Sequence, residues 1–157
     1  MTEKFSESIN ILTVCTGNIC RSPLAEGILK KMLGGRPTKI YSAGTHAING
    51  NSASEFAIIS AKENGIDISG HIARLLDPGI VLDSDIILCM ELSHLEWVLS
   101  LEPSAYKRVY NLADFSSRNK RLKSISDPYG CSLREYRECF KDIETCLANF
   151  IESEHIR

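Results

Sequence analysis

One stretch constrains this chain more than any other: Asn10-Ile-Leu-Thr-Val-Cys15-Thr-Gly-Asn-Ile-Cys-Arg21-Ser-Pro-Leu-Ala-Glu26. Ile11, Leu12 and Val14 form a short apolar, partly β-branched run, and from Ser22-Pro23 onward Leu24, Ile28, Leu29 and Met32 recur at helical spacing. The stretch therefore reads as strand, tight turn and helix, with the turn between Cys15 and Arg21. Pro23 suits the first helical position, where its missing N–H would have no partner anyway, and Glu26 suits the positive end of the helix dipole.

A turn that feeds a helix N-terminus points several main-chain N–H groups inward and makes an anion cradle, so its ligand should be phosphate-like. Gly17 and Asn18 are residue types that tolerate left-handed backbone angles, which a chain needs when it wraps an oxyanion. Arg21 offers a planar fork of donors for two phosphate oxygens. Cys15, at the carboxyl end of the strand among those donors, should be a nucleophilic thiolate, and Ser22 could hydrogen-bond its sulfur and stabilise it as a leaving group. A nucleophile and a cradle in one loop imply a covalent phospho-enzyme. The bland alternative is real, because a lone Cys after a strand is more often inert core and Cys-(x)5-Arg-Ser is short enough to arise by chance.

The full string Val-Cys-Thr-Gly-Asn-Ile-Cys-Arg-Ser-Pro-Leu-Ala-Glu closely resembles the active-site loop of the low-molecular-weight protein tyrosine phosphatases, from which it differs only at free positions. The resemblance implies that Thr16, Gly17, Asn18, Ile19, Cys20, Arg21 and Ser22 surround the substrate phosphate. A second segment, His71-Ile-Ala-Arg74, resembles one in which the family has a buried His bridging the loop's Asn and a Ser at the end of the second strand; carried over, that network is Asn18, Ser42 and His71, with Ser22 beside it. Without the resemblance a His in a polar loop is more often simply solvated. His46, His94 and His155 have no such context and are expected at the surface.

Composition limits the rest. At 157 residues, 43% hydrophobic and without a linker, repeat or low-complexity segment, residues 1–157 fit one domain. Eighteen basic and 20 acidic side chains give a net charge of −2, so charge does not point to a nucleic-acid partner. The charged start and the short apolar run after it fit neither signal peptide nor membrane span, so a cytoplasmic protein with no membrane insertion is expected. The six cysteines include no Cys-x-x-Cys pair and no His at zinc-finger spacing, and read as reduced thiols with no metal.

Along the chain, Lys39–Gly44 reads as a second strand after the Gly34-Gly35-Arg-Pro37 break. Ala53, Phe56, Ala57, Ser60 and Ala61 mark a helix that ends at Asn64-Gly65. Asp83–Met90 is a buried strand, Ser93–Leu101 a capped helix with Trp97, and Arg108–Leu112 a fourth strand. Leu133–Glu152 is a helix whose apolar stripe takes in Cys139 and Cys146, better read as buried hydrophobes than as a redox pair. The alternation predicts an α/β fold, a four-stranded parallel sheet with helices on both faces, in which ligands bind at the carboxyl ends of the strands.

Asp127-Pro128-Tyr129-Gly130 alone is an ordinary turn signal. It resembles the acid loop of the same phosphatases, which makes Asp127 the general acid and Tyr129 a wall of the substrate slot. Such a group is needed, because phenolate leaves poorly until its oxygen is protonated and the water that attacks phospho-cysteine must lose a proton. The implied enzyme is a phosphoric monoester hydrolase that needs no cofactor. Two departures, aliphatic Ile48 where many members have an aromatic slot wall and a single Tyr in the acid loop, look like the bacterial subgroup linked to capsule and exopolysaccharide clusters. Its members dephosphorylate a membrane tyrosine autokinase, so the implied partner is a phosphotyrosine protein of that kind.

Rival readings make distinct demands. A thioredoxin-coupled arsenate reductase would need two further cysteines to relay a disulfide. A sugar-transport phosphocarrier would have no use for Arg21 or Asp127. Cys20 stands in the loop with Cys15, where it either traps oxidised Cys15 as a disulfide or merely packs. The run Arg118-Asn-Lys-Arg-Leu-Lys123 is either a solvated face or a device that steers an acidic substrate.

Overall fold

The computed structural model describes residues 8–153 and His155. Four parallel strands, β1 (Ile9–Cys15), β2 (Thr38–Gly44), β3 (Ile86–Cys89) and β4 (Val109–Asn111), form one sheet in the order β2-β1-β3-β4. Five α-helices connect and follow them: α1 (Arg21–Met32), α2 (Glu55–Lys62), α3 (Pro78–Leu82), α4 (Leu92–Leu101) and α5 (Leu133–Glu152). The expected sheet, its parallel sense and the four long helices are all present. The short α3 went unforeseen because five residues are too few for a helical period, although Asp77 caps it by accepting from Ile80 N and Pro78 opens it.

The strands read as unbroken apolar runs because both faces are covered. On one side Ile11, Cys15, Ile86 and Leu88 pack with Leu24, Ile28 and Leu29 of α1, residues of α2, and the α5 stripe from Tyr136 through Phe140 and Ile143 to Phe150. On the other, Leu12, Val14, Ile87 and Cys89 pack with Val81 and Val98 of α3 and α4. Cys139 and Cys146 lie in the first layer, as the stripe required.

Three local expectations need correction. Pro23 is the third helical residue, since α1 starts at Arg21. Glu26 consequently falls outside the first turn and meets no helix end; its Oε1 accepts from Ser42 Oγ at 2.7 Å and its Oε2 from Lys30 Nζ at 2.7 Å. Met32 is surface, and Leu33 takes its place in the core.

Candidate active site

β1 is paired on both sides, so its carboxyl end is the most enclosed point at the top of the sheet, and Cys15 is its last residue. The loop that follows is pinned from β2: Thr45 N donates to Cys15 O and His46 N to Thr16 O, each at 2.9 Å. That commits two of the loop's carbonyls to the neighbouring segment, while the main-chain N–H groups of residues 17–20 have no acceptor among the described residues. Asn18 adopts the left-handed conformation at φ 56°, alone among the described non-glycine residues.

Asn18 is the hub of the loop. Its Nδ2 donates to Ser22 Oγ at 2.8 Å and to Ser42 Oγ at 2.9 Å, and its Oδ1 accepts the Arg74 main-chain N–H at 2.9 Å. Ser22 Oγ lies 2.9 Å from Cys15 Sγ. With both Asn18 amide protons assigned, Ser22 accepts from Asn18 and is left to donate its own proton to sulfur. Asn18 and Ser22 are fully buried, so their side chains support the nucleophile and do not line the cavity. His71 departs from its expected bridge: it is half-buried, and its Nε2–H donates to the Asn18 main-chain oxygen at 2.7 Å. The reason is the left-handed turn at Asn18, which carries the side chain to both serines and leaves only the peptide oxygen for the imidazole.

Arg21, 2% exposed, donates from Nη1 to Ile125 O at 2.9 Å and is flanked by Glu91 Oε1 at 3.4 Å and Asp127 Oδ2 at 3.5 Å. Its buried Nε has no partner among the described residues. A buried unpaired N–H costs about 1–3 kcal/mol, so the guanidinium is set up to receive an acceptor. Asp127 and Tyr129 come from the turn between β4 and α5, in which Tyr129 N donates to Asp127 Oδ1 at 3.1 Å and Gly130 takes φ 77°. Cys15, Thr16, Gly17, Ile19, Cys20, Arg21, Asp127 and Tyr129 together line a cavity of about 190 Å³. Tyr129 stands on its rim, 66% exposed. Ile48, expected as the opposite wall, is exposed and outside the lining, because Asn49, Gly50 and Asn51 bond to residues 73–75 and the chain turns outward at Ile48. Among the described residues no cluster of His, Cys, Asp or Glu is placed to hold a metal ion.

The other cysteines stand apart from this chemistry. All six are free thiols. Burial pushes the Cys89 thiol up, Cys139 up to about 12 and Cys146 up to about 11, which leaves them protonated and unreactive. Cys20 lines the cavity, its Sγ is held 3.2 Å from Ser54 Oγ and 3.3 Å from Tyr136 OH, and burial raises its thiol too.

Sequence reasoning missed Glu91 and His94. His94 is not a surface residue: it is 2% exposed at the start of α4, where Nδ1 accepts the Glu91 N–H at 3.1 Å and Nε2 lies 2.8 Å from Thr16 Oγ1. A Glu-x-x-His spacing just past the carboxyl end of a buried strand was the available signal, since that is the sheet edge where ligands gather. His46, by contrast, is exposed and packs on Trp97 with ring centroids 4.7 Å apart, and His155 is exposed against Tyr110, Phe115 and Phe150.

Burial, followed by the Arg21 charge, lowers the His94 pKa from 6.5 to about 4, with Asp127 opposing and His46 adding to the shift; Glu91 Oε2 also faces it at 3.5 Å. A folded-state pKa below the unfolded one means the unfolded chain binds more protons between those values. This contribution is therefore complete above pH 6.5 and is lost as pH falls toward 4, by on the order of 3 kcal/mol at most. Urea melts at pH 7 and pH 4.5 should show a smaller acid loss of stability in His94→Gln than in the wild type; equal losses would assign the effect to other groups.

Comparison with known proteins gives a consistent answer. Residues 10–156 match the family described as low molecular weight phosphotyrosine protein phosphatase. The chain is 38% identical over 140 residues to AmsI of Erwinia amylovora, covering 89% of this chain and 90% of that one. The crystal structure of tyrosine phosphatase Wzb from Escherichia coli K30, in complex with sulphate, is similar with a TM-score of 0.81 at 33% identity, covering 91% of this chain and 96% of that one. The YwlE arginine phosphatase from Geobacillus stearothermophilus is similar with a TM-score of 0.80 at 33% identity, covering 92% and 91%.

Proposed function

The chain belongs to the low molecular weight phosphotyrosine protein phosphatase family, and from that premise we propose a residue-level mechanism, with Cys15 as nucleophile, Arg21 as phosphate clamp and Asp127 as general acid and base. The observation that carries the assignment is the buried, unpaired Nε–H of Arg21 beside a cavity shared by Cys15 and Asp127. The Cys15 thiolate attacks phosphorus as the bond to the phenolic oxygen breaks, and Asp127 gives that oxygen its proton. The inward N–H groups of residues 16–21 and Arg21 hold the equatorial oxygens, where charge concentrates in the transition state. Water then attacks phospho-cysteine, Asp127 takes back a proton, and the phosphorus–sulfur bond breaks toward a thiolate that Ser22 is oriented to receive. Exposure of Asp127, 48% at its side chain, suits a group that must meet both leaving group and water.

Hydrolysis of phosphotyrosine peptide, phosphoarginine and p-nitrophenyl phosphate by wild type and Asp127→Asn tests this reading. Asp127→Asn should lower kcat/KM, which reports the step that expels the leaving group, by about 10²–10⁴-fold for the phosphotyrosine peptide, whose phenolate leaves poorly, and far less for p-nitrophenyl phosphate. A leaving-group dependence unchanged by the substitution would remove Asp127 from the acid role, and a preference for phosphoarginine would redirect the substrate assignment.

The natural substrate we propose is the phosphorylated tail of a bacterial tyrosine autokinase, met in the cytoplasm, with residues 1–157 working as one domain. Among the described residues no helix is long and apolar enough to cross a membrane. The basic run before the acid loop supports an acidic partner only in part, because exposed Lys120 is tied to Asp142 at 2.7 Å, which leaves Arg118, Arg121 and Lys123 as the exposed cations without an ion pair among the described residues. Neutralising these three should lower kcat/KM for a multiply phosphorylated tail severalfold at low salt, with little change for p-nitrophenyl phosphate. Equal effects on both substrates would return the run to ordinary surface.

A further inference from the structure

The contact between His94 and Thr16 serves no purpose in the mechanism above, yet it ties an exposed hydroxyl to a buried imidazole with a fixed polarity. The Glu91 main-chain N–H can only donate, so His94 Nδ1, 3.1 Å away, is an acceptor and carries no proton. A neutral imidazole then has its proton on Nε2, which faces Thr16 Oγ1 at 2.8 Å; the Glu91 carboxylate, at 3.5 Å, is the more distant acceptor. Arg21 Nη2 donates to the same Thr16 oxygen at 3.5 Å. A hydroxyl has two lone pairs and one proton. With both lone pairs taken by His94 and Arg21, the Thr16 proton is the one capacity left, and it has no acceptor among the described residues. Thr16 is exposed and lines the cavity with Cys15, Arg21 and Asp127.

We propose that the Thr16 hydroxyl donates a hydrogen bond to the phosphoryl group of the substrate, and that His94 is the positioning residue that orients it. Thr16 thus adds a side-chain donor to a cradle otherwise made of main-chain N–H groups and Arg21. It occupies the position directly after the nucleophile, so its oxygen is fixed by the same backbone that fixes Cys15. The inference rests on the phosphatase reading, with the covalent chemistry assigned to Cys15.

The test pairs turnover with binding of orthovanadate, whose trigonal-bipyramidal adduct imitates the transition state. In wild type, Thr16→Val, Thr16→Ser, His94→Asn and the Thr16→Val/His94→Asn double variant, kcat/KM for p-nitrophenyl phosphate is measured together with vanadate affinity by calorimetry. Thr16→Val removes the hydroxyl and should weaken both by roughly tenfold, while Thr16→Ser, which keeps the oxygen, recovers most of the loss. His94→Asn keeps an acceptor for the Glu91 N–H but cannot reach Thr16; it should match Thr16→Val, and the double variant should fall no further than either single one. Unchanged vanadate affinity in Thr16→Val, or additive losses in the double variant, would overturn the proposal. If His94→Asn does not fold, the exposed Thr16 pair decides alone. Failure of the parent reading shows separately, as absence of wild-type turnover or as turnover that survives Cys15→Ser.

Discussion

Cys15→Ser is expected to reduce phosphatase turnover by on the order of a thousandfold or more, while a stable fold and anion binding persist. The side chain is 2% exposed and exchanges one small atom for another, so packing changes little. What changes is the nucleophile, since a hydroxyl held by Ser22 has no base to ionise it. Arg21→Ala should be comparably damaging for a different reason. It deletes the one cation that, among the described residues, reaches both the cavity and the acid loop, and it leaves Glu91 and Asp127 without the charge between them. Orthophosphate titration separates the two: Cys15→Ser should still bind it, whereas Arg21→Ala should not. Robust turnover in Cys15→Ser would remove the phospho-cysteine step altogether.

Gly44→Ala should be the most damaging glycine-to-alanine change in the described residues. Gly44 ends β2 in register with Cys15, and a Cβ there would stand 2.5 Å from Thr16 O, 2.9 Å from Asn18 N and 2.9 Å from Ala47 Cβ. Two of those atoms are backbone of the phosphate loop, so the strain cannot be relieved by turning a side chain. Gly44 also donates to Arg74 O at 3.0 Å and accepts from Leu76 N at 2.8 Å, which holds it from the far side. The loop itself must therefore move. Misplacement by about 1 Å can cost about 10²-fold in rate, and overpacking of this kind costs about 1–3 kcal/mol of stability. Thermal melts and kcat/KM measured together check this; a variant with wild-type values for both would mean that the loop yields more easily than its hydrogen bonds imply.

The parts of this site that were legible in the sequence are those whose chemistry is local. Cys15, Arg21 and Ser22 share one turn, and the change from apolar run to helical spacing around them fixes strand, turn and helix without any distant contact. The α5 stripe was legible for the same reason, as twenty residues of uninterrupted period. What could not be read depended on meetings between segments far apart in the chain. Glu91 and His94 reach Arg21 and Thr16 because β3 lies beside β1, and their Glu-x-x-His spacing gains meaning only once that neighbour is known. The role of Ile48 was read from its position after β2, but the pairing of residues 49–51 with 73–75 decides where it points. His71 meets Asn18 as expected, but through the main-chain oxygen, and the Ser42 end of the expected bridge is taken by the Asn18 side chain.

The double pairing of β1 also has a kinetic meaning. Amide protons of its residues 11–14, between two parallel neighbours and at 0% exposure, can exchange with solvent only when the whole sheet opens. The turn bearing Asp127 and Tyr129 has exposed side chains and is secured chiefly by short-range bonds within itself, so it can open on its own. The two halves of the reaction thus belong to parts of the molecule with different clocks. Bond making to phosphorus rests on a strand that opens only with the sheet, while the proton is delivered by a segment that can open locally and whose Asp127 meets the cradle through Arg21.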